Sequence, residues 1–300
     1  MQIIKTIKEI NNQVVVLKKE GKNIGFAPTM GALHAGHITL IRQSRKENDV
    51  TVCSIFVNPT QFNDPKDFDK YPITLEKDMQ QLVAAKCDIL FLPSVAEMYP
   101  KGYGNKEKLD FGFLNNTLEG EFRPGHFDGM AQIVEKLLLA VEPTRLYMGQ
   151  KDYQQAMICT ELIKKRKMKT KLVLCPIKRE KDGLAMSSRN VRLDKRSRAK
   201  AVEIVKVLRG VKRVVGQQTT DHGPRATASR RSTVDGQRIA DIEQKAFKKL
   251  SSFPEFKVEY VAIRNAKTLR SVKVIDGKTP LVALVAAWIG GVRLIDNMLL

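Results

Sequence analysis

Phe26-Ala-Pro-Thr-Met-Gly-Ala-Leu-His-Ala-Gly-His37 carries the strongest fold signal in this chain. The apolar run Ile24 to Ala27 precedes it and the amphipathic segment Ile38 to Lys46 follows, so it reads as strand, tight turn and helix start. Pro28 and Gly31 interrupt the strand, and Gly36 is expected to let a ligand approach the backbone closely. The first turn of a helix carries unpaired N–H groups and a partial positive charge, which suits a phosphate. His34 and His37, three residues apart, share one face of that turn. The simplest chemistry is a nucleotide phosphate chain held by backbone amides and two imidazoles. A histidine at a helix start can also do no more than cap it, so the rest of the chain has to decide.

Working outward, Val50 to Val57 is nearly continuous apolar and β-branched, as a strand covered on both faces of a parallel sheet reads. A helix over Thr6 to Glu20 precedes this βαβ unit, and the polar turn Asn58-Pro-Thr-Gln-Phe62 follows it. Helix Leu75 to Ala85 and strand Asp88 to Leu92 repeat the alternation. An irregular stretch, Tyr99 to Phe113, reads as a flap or a wall. The loop Leu118 to Asp128 feeds a helix over Gly129 to Val141, and its His126 is expected to bond the loop's own backbone rather than act on a substrate. Strand Arg145 to Met148 leads to Gly149-Gln-Lys-Asp152, and strand Lys171 to Ile177 leads to Lys181 to Asn190. Right-handed crossovers return every strand in one direction, so these polar turns gather at one sheet edge. The expectation is an α/β chain, with a Rossmann-like doubly wound parallel sheet domain over 1–178.

Past Asn190 the texture changes. A basic helix over Lys195 to Val214, a polar stretch from 216 to 237 read as surface loop or disorder, and a helix Ile239 to Leu250 precede four strands. Those strands are expected at Val258 to Ile263, Leu269 to Ile275, Leu281 to Trp288 and Val292 to Ile295. This predicts a smaller α+β domain over 179–300, able to close over the first as a lid.

The 300 residues, 43% of them hydrophobic, are enough for two cores. No apolar run reaches the roughly 18 to 20 residues of a membrane span, and the N-terminus lacks a signal-peptide profile, so a cytoplasmic protein is expected. Cys53, Cys87, Cys159 and Cys175 are widely spaced without a C-x-x-C pair, which reads as reduced, packed cysteines, with no metal site. The net charge of +20 attracts anions, either nucleic acid or small ones such as ATP and carboxylates. The basic run Lys195 to Arg213 is interleaved with apolar Val202, Ile204, Val205, Val207 and Leu208, which reads as the solvated face of a helix. No zinc finger or aromatic-basic pattern supports a nucleic-acid partner.

Six motifs in order carry a resemblance: Pro28 to His37, Asn58 to Phe62, Arg123-Pro-Gly-His-Phe127, Gly149-Gln-Lys-Asp-Tyr-Gln-Gln155, Asp182-Gly-Leu-Ala-Met-Ser-Ser-Arg-Asn190 and Arg293-Leu-Ile-Asp-Asn297. Together they resemble the pantothenate synthetase (pantoate–β-alanine ligase) family of HIGH-motif adenylating enzymes. The resemblance implies that ATP, with Mg2+, and (R)-pantoate form pantoyl adenylate and pyrophosphate, and that β-alanine then displaces AMP to give pantothenate. It implies catalytic roles for His34, His37 and Lys151. Its ATP site comprises Met30, Gly31, Ala32, Leu33, His34, Ala35, Gly36 and His37, then Gly149, Gln150, Lys151, Asp152 and Lys178, and finally Met186, Ser187, Ser188 and Arg189. Its pantoate and β-alanine site comprises Gln61, Gln155, Met30, Asn58, Arg123, His126, Ile133 and Val134. A homodimer, with no nucleic-acid or membrane partner, completes what it implies. A carboxylate attacking a phosphate is a collision of anions, so positive and hydrogen-bond-donating groups belong at such a site. The neutral amides of Gln61 and Gln155 both donate and accept, which suits pantoate.

Two departures stand out. Gln150 occupies a place that is acidic in many relatives, and the stretch from about 210 to 240 is basic and poor in apolar residues where helical patterning would be expected. The competing readings are a nucleotidylyltransferase or aminoacyl-tRNA synthetase on the same scaffold, and a basic RNA-binding protein with an inactive nucleotide fold. Neither a nucleotidylyltransferase nor a synthetase would carry both glutamine motifs, and salt-sensitive RNA retention without ATP consumption would mark the RNA-binding protein.

Overall fold

A computed structural model describes residues 1–62, 68–69, 71–102, 109–221 and 239–300. The chain divides into two compact units, Met1–Lys178 and Arg179–Leu300.

The first unit is built on a six-stranded, all-parallel sheet. Its strands are β1 (Gln2–Ile4), β2 (Ile24–Thr29), β3 (Val50–Ile55), β4 (Ile89–Phe91), β5 (Arg145–Gly149) and β6 (Lys171–Cys175), in the order β1-β4-β3-β2-β5-β6. The crossover helices are α1 (Ile7–Lys19), α2 (Ala35–Glu47), α3 (Leu75–Ala84), α4 (His126–Val141) and α5 (Tyr153–Lys165). Apolar β2 and β3 are buried along nearly their whole length, as both-face coverage demands. Gly25 is required where α2 crosses β2, because a Cβ there would lie 2.2 Å from Ser44 Oγ.

This strand order reverses direction between β2 and β5, which makes a topological switch point. The two strands pair only at Gly25↔Arg145 and Phe26↔Leu146, whereas β2 stays paired with β3 through Thr29↔Ile55. The parallel ladder therefore ends early at the switch point, ahead of the turns after Thr29 and Gly149. The stretch Phe26 to His37 lies where an open α/β sheet holds its ligands.

The second unit packs helices α6 (Lys195–Lys200), α7 (Glu203–Asp221) and α8 (Ile239–Ser251) with a three-stranded antiparallel sheet. Its strands are β7 (Phe256–Asn265), β8 (Leu281–Ile289) and β9 (Val292–Leu299), in that order. The apolar positions of the basic run turn inward: Ile204, Val207, Leu208 and Val211 join Ile242, Leu250, Val285 and Ile289 in its core.

Several expected boundaries move. The basic helix is two helices, interrupted at Ala201, and α7 runs on to Asp221, so 216–221 is helical rather than loop. The rest of that expected loop, from 222, lies outside the described residues, as do residues 103–108 of the expected flap. The expected strand Leu269 to Ile275 is irregular and makes only the isolated bridge Arg264↔Ser271. Asn265 Oδ1 accepts the Lys267 and Thr268 amides and Leu269 takes φ +56°, so the chain turns despite its alternating pattern. Strand β1, short and at the sheet edge, has no strand pattern of its own in the sequence. All four cysteines are buried and free. No helix among the described residues is long and apolar enough to cross a membrane.

Candidate active site

The turn after β2 is held from three sides. Thr29 Oγ1 donates to Ser54 O at 2.8 Å and accepts the Gly31 amide, tying the ends of β2 and β3. Gly31 (φ +79°) and Ala32 (φ +48°) both adopt the left-handed conformation, which turns successive amides to one side. The carboxylate of Asp78, on α3, accepts the Ala32 and Leu33 amides at 2.8 Å each. These two amides, expected to face phosphate, are thus committed to an internal anion.

His34 is the N-cap of α2, and its Nδ1 accepts the Gly36 amide at 3.1 Å. His37 Nδ1 accepts the His34 amide at 3.3 Å, completing a capping box made of two histidines. Capping and ligand binding are compatible, because both rings use Nδ1 as acceptor and, when neutral, carry the proton on Nε2. The rings stack with centroids 4.0 Å apart. Gly36 is required by this cap, since a Cβ there would lie 2.8 Å from the His34 ring. The Ala35 amide precedes the first helical acceptor, His34 O, which Ile38 takes, whereas the His37 amide donates to the His34 side chain in the capping box.

Burial, with the charges of His34 and Lys151, holds His37 well below the usual imidazole value of 6.5. Lys151, in the single turn Gln150–Asp152 after β5, is thereby placed within electrostatic reach of His37, and its Nζ lies 3.3 Å from Asp152 Oδ1. Gly149, just before it, has nothing within 4 Å of where a Cβ would stand, so the backbone is open there. Lys178 Cβ lies 3.8 Å from the corresponding point at Gly36, beside the start of α2.

A second cluster forms around the turn Pro59–Gln61 after β3. Asn58 caps it, and its Nδ2 donates to Gly129 O (3.1 Å) and Gln61 Oε1 (3.3 Å) while Tyr99 Oη donates to its Oδ1 (2.8 Å). With Asn58 1% exposed and its amide fully engaged, it is a brace for Gln61 and not a lining group. Gly129 allows this packing, because a Cβ would stand 2.3 Å from Thr60 O. Gln61 Nε2 donates to Met30 Sδ at 2.7 Å, which joins the two turns.

His126 starts α4, three residues earlier than expected, and binds a loop other than its own. Arg123 donates to its Nε2 at 3.0 Å, so the neutral ring donates from Nδ1 to Gln61 O at 2.9 Å. Burial and then the Arg123 charge push its pKa down to about 3. Ile133 and Val134 of α4 are buried apolar residues. Gln155 stands near the start of α5, half-buried. Its neighbour Gln154, not singled out by the sequence, is 1% exposed and bonds Leu114 O, Thr117 O and the Glu119 amide. It fastens the loop in which Leu118 takes φ +50°.

In the second unit, Met186 to Arg189 grows from a tight turn. Glu180 N donates to Leu184 O, Asn190 Nδ2 donates to Glu180 Oε1 (2.8 Å) and Ala185 O (3.0 Å), and Arg198 pairs with Glu180 and Asp182. Ser187 Oγ accepts the Arg189 amide at 3.3 Å. Arg293 pairs with Glu259, and Asp296 with Arg179, so the last motif braces this unit.

Buried, neutral imidazoles make the fold acid-sensitive. The unfolded chain protonates His37 and His126 near pH 6.5 while the folded chain does not, so their stability contribution is complete above pH 6.5 and is lost as pH falls toward the folded values. Each costs about 1.4 kcal/mol per pH unit. The urea midpoint is expected to drop from pH 6.5 to 5, above most carboxylate titrations, and to drop less in His126→Asn. A midpoint flat over that range would contradict the neutral assignment.

The family model "Pantoate-beta-alanine ligase" matches residues 2–299. Pantothenate synthetases of Cytophaga hutchinsonii and Acetivibrio thermocellus are 41% and 43% identical, the matches covering 99% and 100% of this chain and 98% and 99% of theirs. Crystal structures of pantothenate synthetase from Thermus thermophilus (TM-score 0.85, 99% of each chain) and of pantoate–β-alanine ligase from Francisella tularensis complexed with beta-gamma ATP and β-alanine (TM-score 0.77, 100% and 97%) are both 36% identical. A match of family, relatives and fold from end to end, on a switch point lined by two histidines and a lysine, means that the chain belongs to the pantoate–β-alanine ligase family and is a ligase.

Proposed function

We propose that this ligase condenses (R)-pantoate with β-alanine through a pantoyl adenylate, consuming ATP and releasing pyrophosphate and AMP. The observation that carries this reading is the grouping of His34, His37 and Lys151 at the β2/β5 switch point. A pantoate carboxylate oxygen attacks the α-phosphorus, and the bond from phosphorus to the bridging oxygen of pyrophosphate breaks. The amine of β-alanine then attacks the acyl carbon, the bond to the AMP oxygen breaks, and the amine proton passes to solvent.

Lys151 screens the approaching anions, and the two Nε2–H groups with the Ala35 amide donate to phosphate oxygens. The His37 ring is neutral in the free protein, so it acts first as a donor. The phosphate charge of bound ATP then raises its pKa toward protonation, which suits it to supply a proton on the pyrophosphate side. Stacked 4.0 Å apart, the two rings do not both carry charge. Gln61, oriented by Asn58 and His126, and Gln155 receive pantoate against Ile133 and Val134, with Met30 beside Gln61.

Magnesium enters with ATP as the counter-ion of its phosphates. The resemblance also assigns Met186, Ser187, Ser188 and Arg189 to the triphosphate, and implies a cytoplasmic homodimer. The adenylate is tested by isotope exchange: labelled pyrophosphate is expected to enter ATP when pantoate is present and β-alanine is absent. Release of ADP and phosphate in place of AMP would overturn the adenylate route in favour of an acyl phosphate.

A further inference from the structure

We propose that Asp78 is a positioning residue of this ligation, acting as an internal anion that holds the histidine-bearing turn in its working shape; the inference rests on the site reading above. Asp78 sits on α3, 1% exposed, and its carboxylate is held by neutral donors. A carboxylate so deeply buried is costly unless its oxygens are bonded. Its Oδ2 accepts the Ala32 amide at 2.8 Å, and its Oδ1 accepts the Leu33 amide at 2.8 Å and the Thr74 hydroxyl at 3.1 Å. Thr74 is the N-cap residue of α3 yet makes no capping bond, its hydroxyl being spent on Asp78.

What the carboxylate holds is strained. Ala32 has a Cβ and still takes φ +48°, directly after Gly31 at φ +79°. Two consecutive left-handed residues create a concavity of amides, and Asp78 fills it with negative charge. The Leu33 amide it fixes is one residue from His34, whose Nδ1 and backbone amide hold Gly36 and His37 in the capping box. Gln81, one turn further along α3, adds a bond from its Nε2 to Leu33 O at 3.1 Å. Release of this clamp lets Ala32 relax to negative φ and rotates the chain immediately before both imidazoles.

Asp78→Asn keeps the shape but turns an NH2 donor toward one of the two amides. Its kcat is expected to fall about 100-fold, the scale of an ångström-level misplacement, while KM for pantoate stays within about twofold because Gln61 and Gln155 are untouched. In histidine-labelled protein, the His34 and His37 imidazole resonances shift and that of His126 does not. A folded Asp78→Asn with wild-type kcat overturns the inference, as does a fall in kcat with the His34 and His37 resonances unmoved, which marks a general structural loss. Should Asp78→Asn fail to fold, Thr74→Val removes only the hydroxyl bond and is expected to lower kcat about threefold, with wild-type kcat as the contrary result. His37→Ala run in parallel separates the two levels: if it turns over normally, the site reading itself fails, whereas a dead His37→Ala beside a fully active Asp78→Asn rejects the role of Asp78 alone.

Discussion

Lys151→Ala is expected to lower adenylate formation by about 100- to 1,000-fold, the range for removing one preorganised charge-stabilising donor, and to leave the fold intact. The lysine stands on a single turn after β5, its side chain is part-exposed, and its Nζ meets Asp152 at 3.3 Å. Its loss therefore costs little packing, and exposed or half-exposed ion pairs contribute about 0 to 1 kcal/mol. On the proposed reading, what is lost is the cation that brings a carboxylate and a polyphosphate together. Pyrophosphate exchange and thermal melting of the same sample check both halves. Near-normal exchange in the variant would reject the role given to Lys151. Because Lys151 also lowers the His37 pKa, the variant is expected to show that pKa nearer the ordinary imidazole value.

Asp296→Ala is the second large effect, and it concerns stability. Asp296 has a side chain 3% exposed and binds Arg179 through both oxygens, at 2.6 and 2.9 Å. Arg179 spends further donors on Gly183 O and Asn297 O. Removing one partner of such a pair leaves a charge in a poorly hydrated place and is expected to cost about 3 to 5 kcal/mol. Replacing both, as Arg179→Met with Asp296→Leu, is expected to cost less than the single change. Equal urea midpoints for wild type and Asp296→Ala would refute the assignment. Since Arg179 opens the second unit, melting of that unit is the transition to follow.

Much of the first unit is legible in sequence because parallel strands are written as apolar runs and their turns as Gly, Asn, Lys and Ser clusters. The stretch Phe26 to His37 announces strand, turn and helix in its own residues, and the motif Gly149 to Gln155 announces the next edge turn. What escapes a sequence reading is held by partners distant in the chain. Asp78 reads as an ordinary acidic residue in the first turn of an amphipathic helix, yet its two acceptors serve amides about 45 residues earlier. Gln154 and Gln155 are indistinguishable by type, and only the contacts of Gln154 with Leu114, Thr117 and Glu119 reveal that it is a fastener. Asn58 and His126 both lie against Gln61, the first bonding its side-chain amide and the second its main-chain carbonyl. The alternation in Leu269 to Ile275 imitates a strand, and the Asn265 turn overrides it.

His34 shows how a plain structural role can accompany the chemical one proposed for it. Its Nδ1 caps the helix and this fixes the tautomer, which leaves Nε2–H as a donor. In the proposed site, the cap therefore sets which nitrogen of His34 faces the ligand as a donor.

Whether this chain joins pantoate to β-alanine at the cost of ATP cleaved to AMP is decided by measuring AMP with each substrate omitted in turn. AMP is expected to accumulate catalytically only when ATP, pantoate and β-alanine are all present, with one pantothenate formed per AMP. AMP formation that instead tracks an amino acid plus tRNA, or that proceeds without pantothenate, would rule this reaction out.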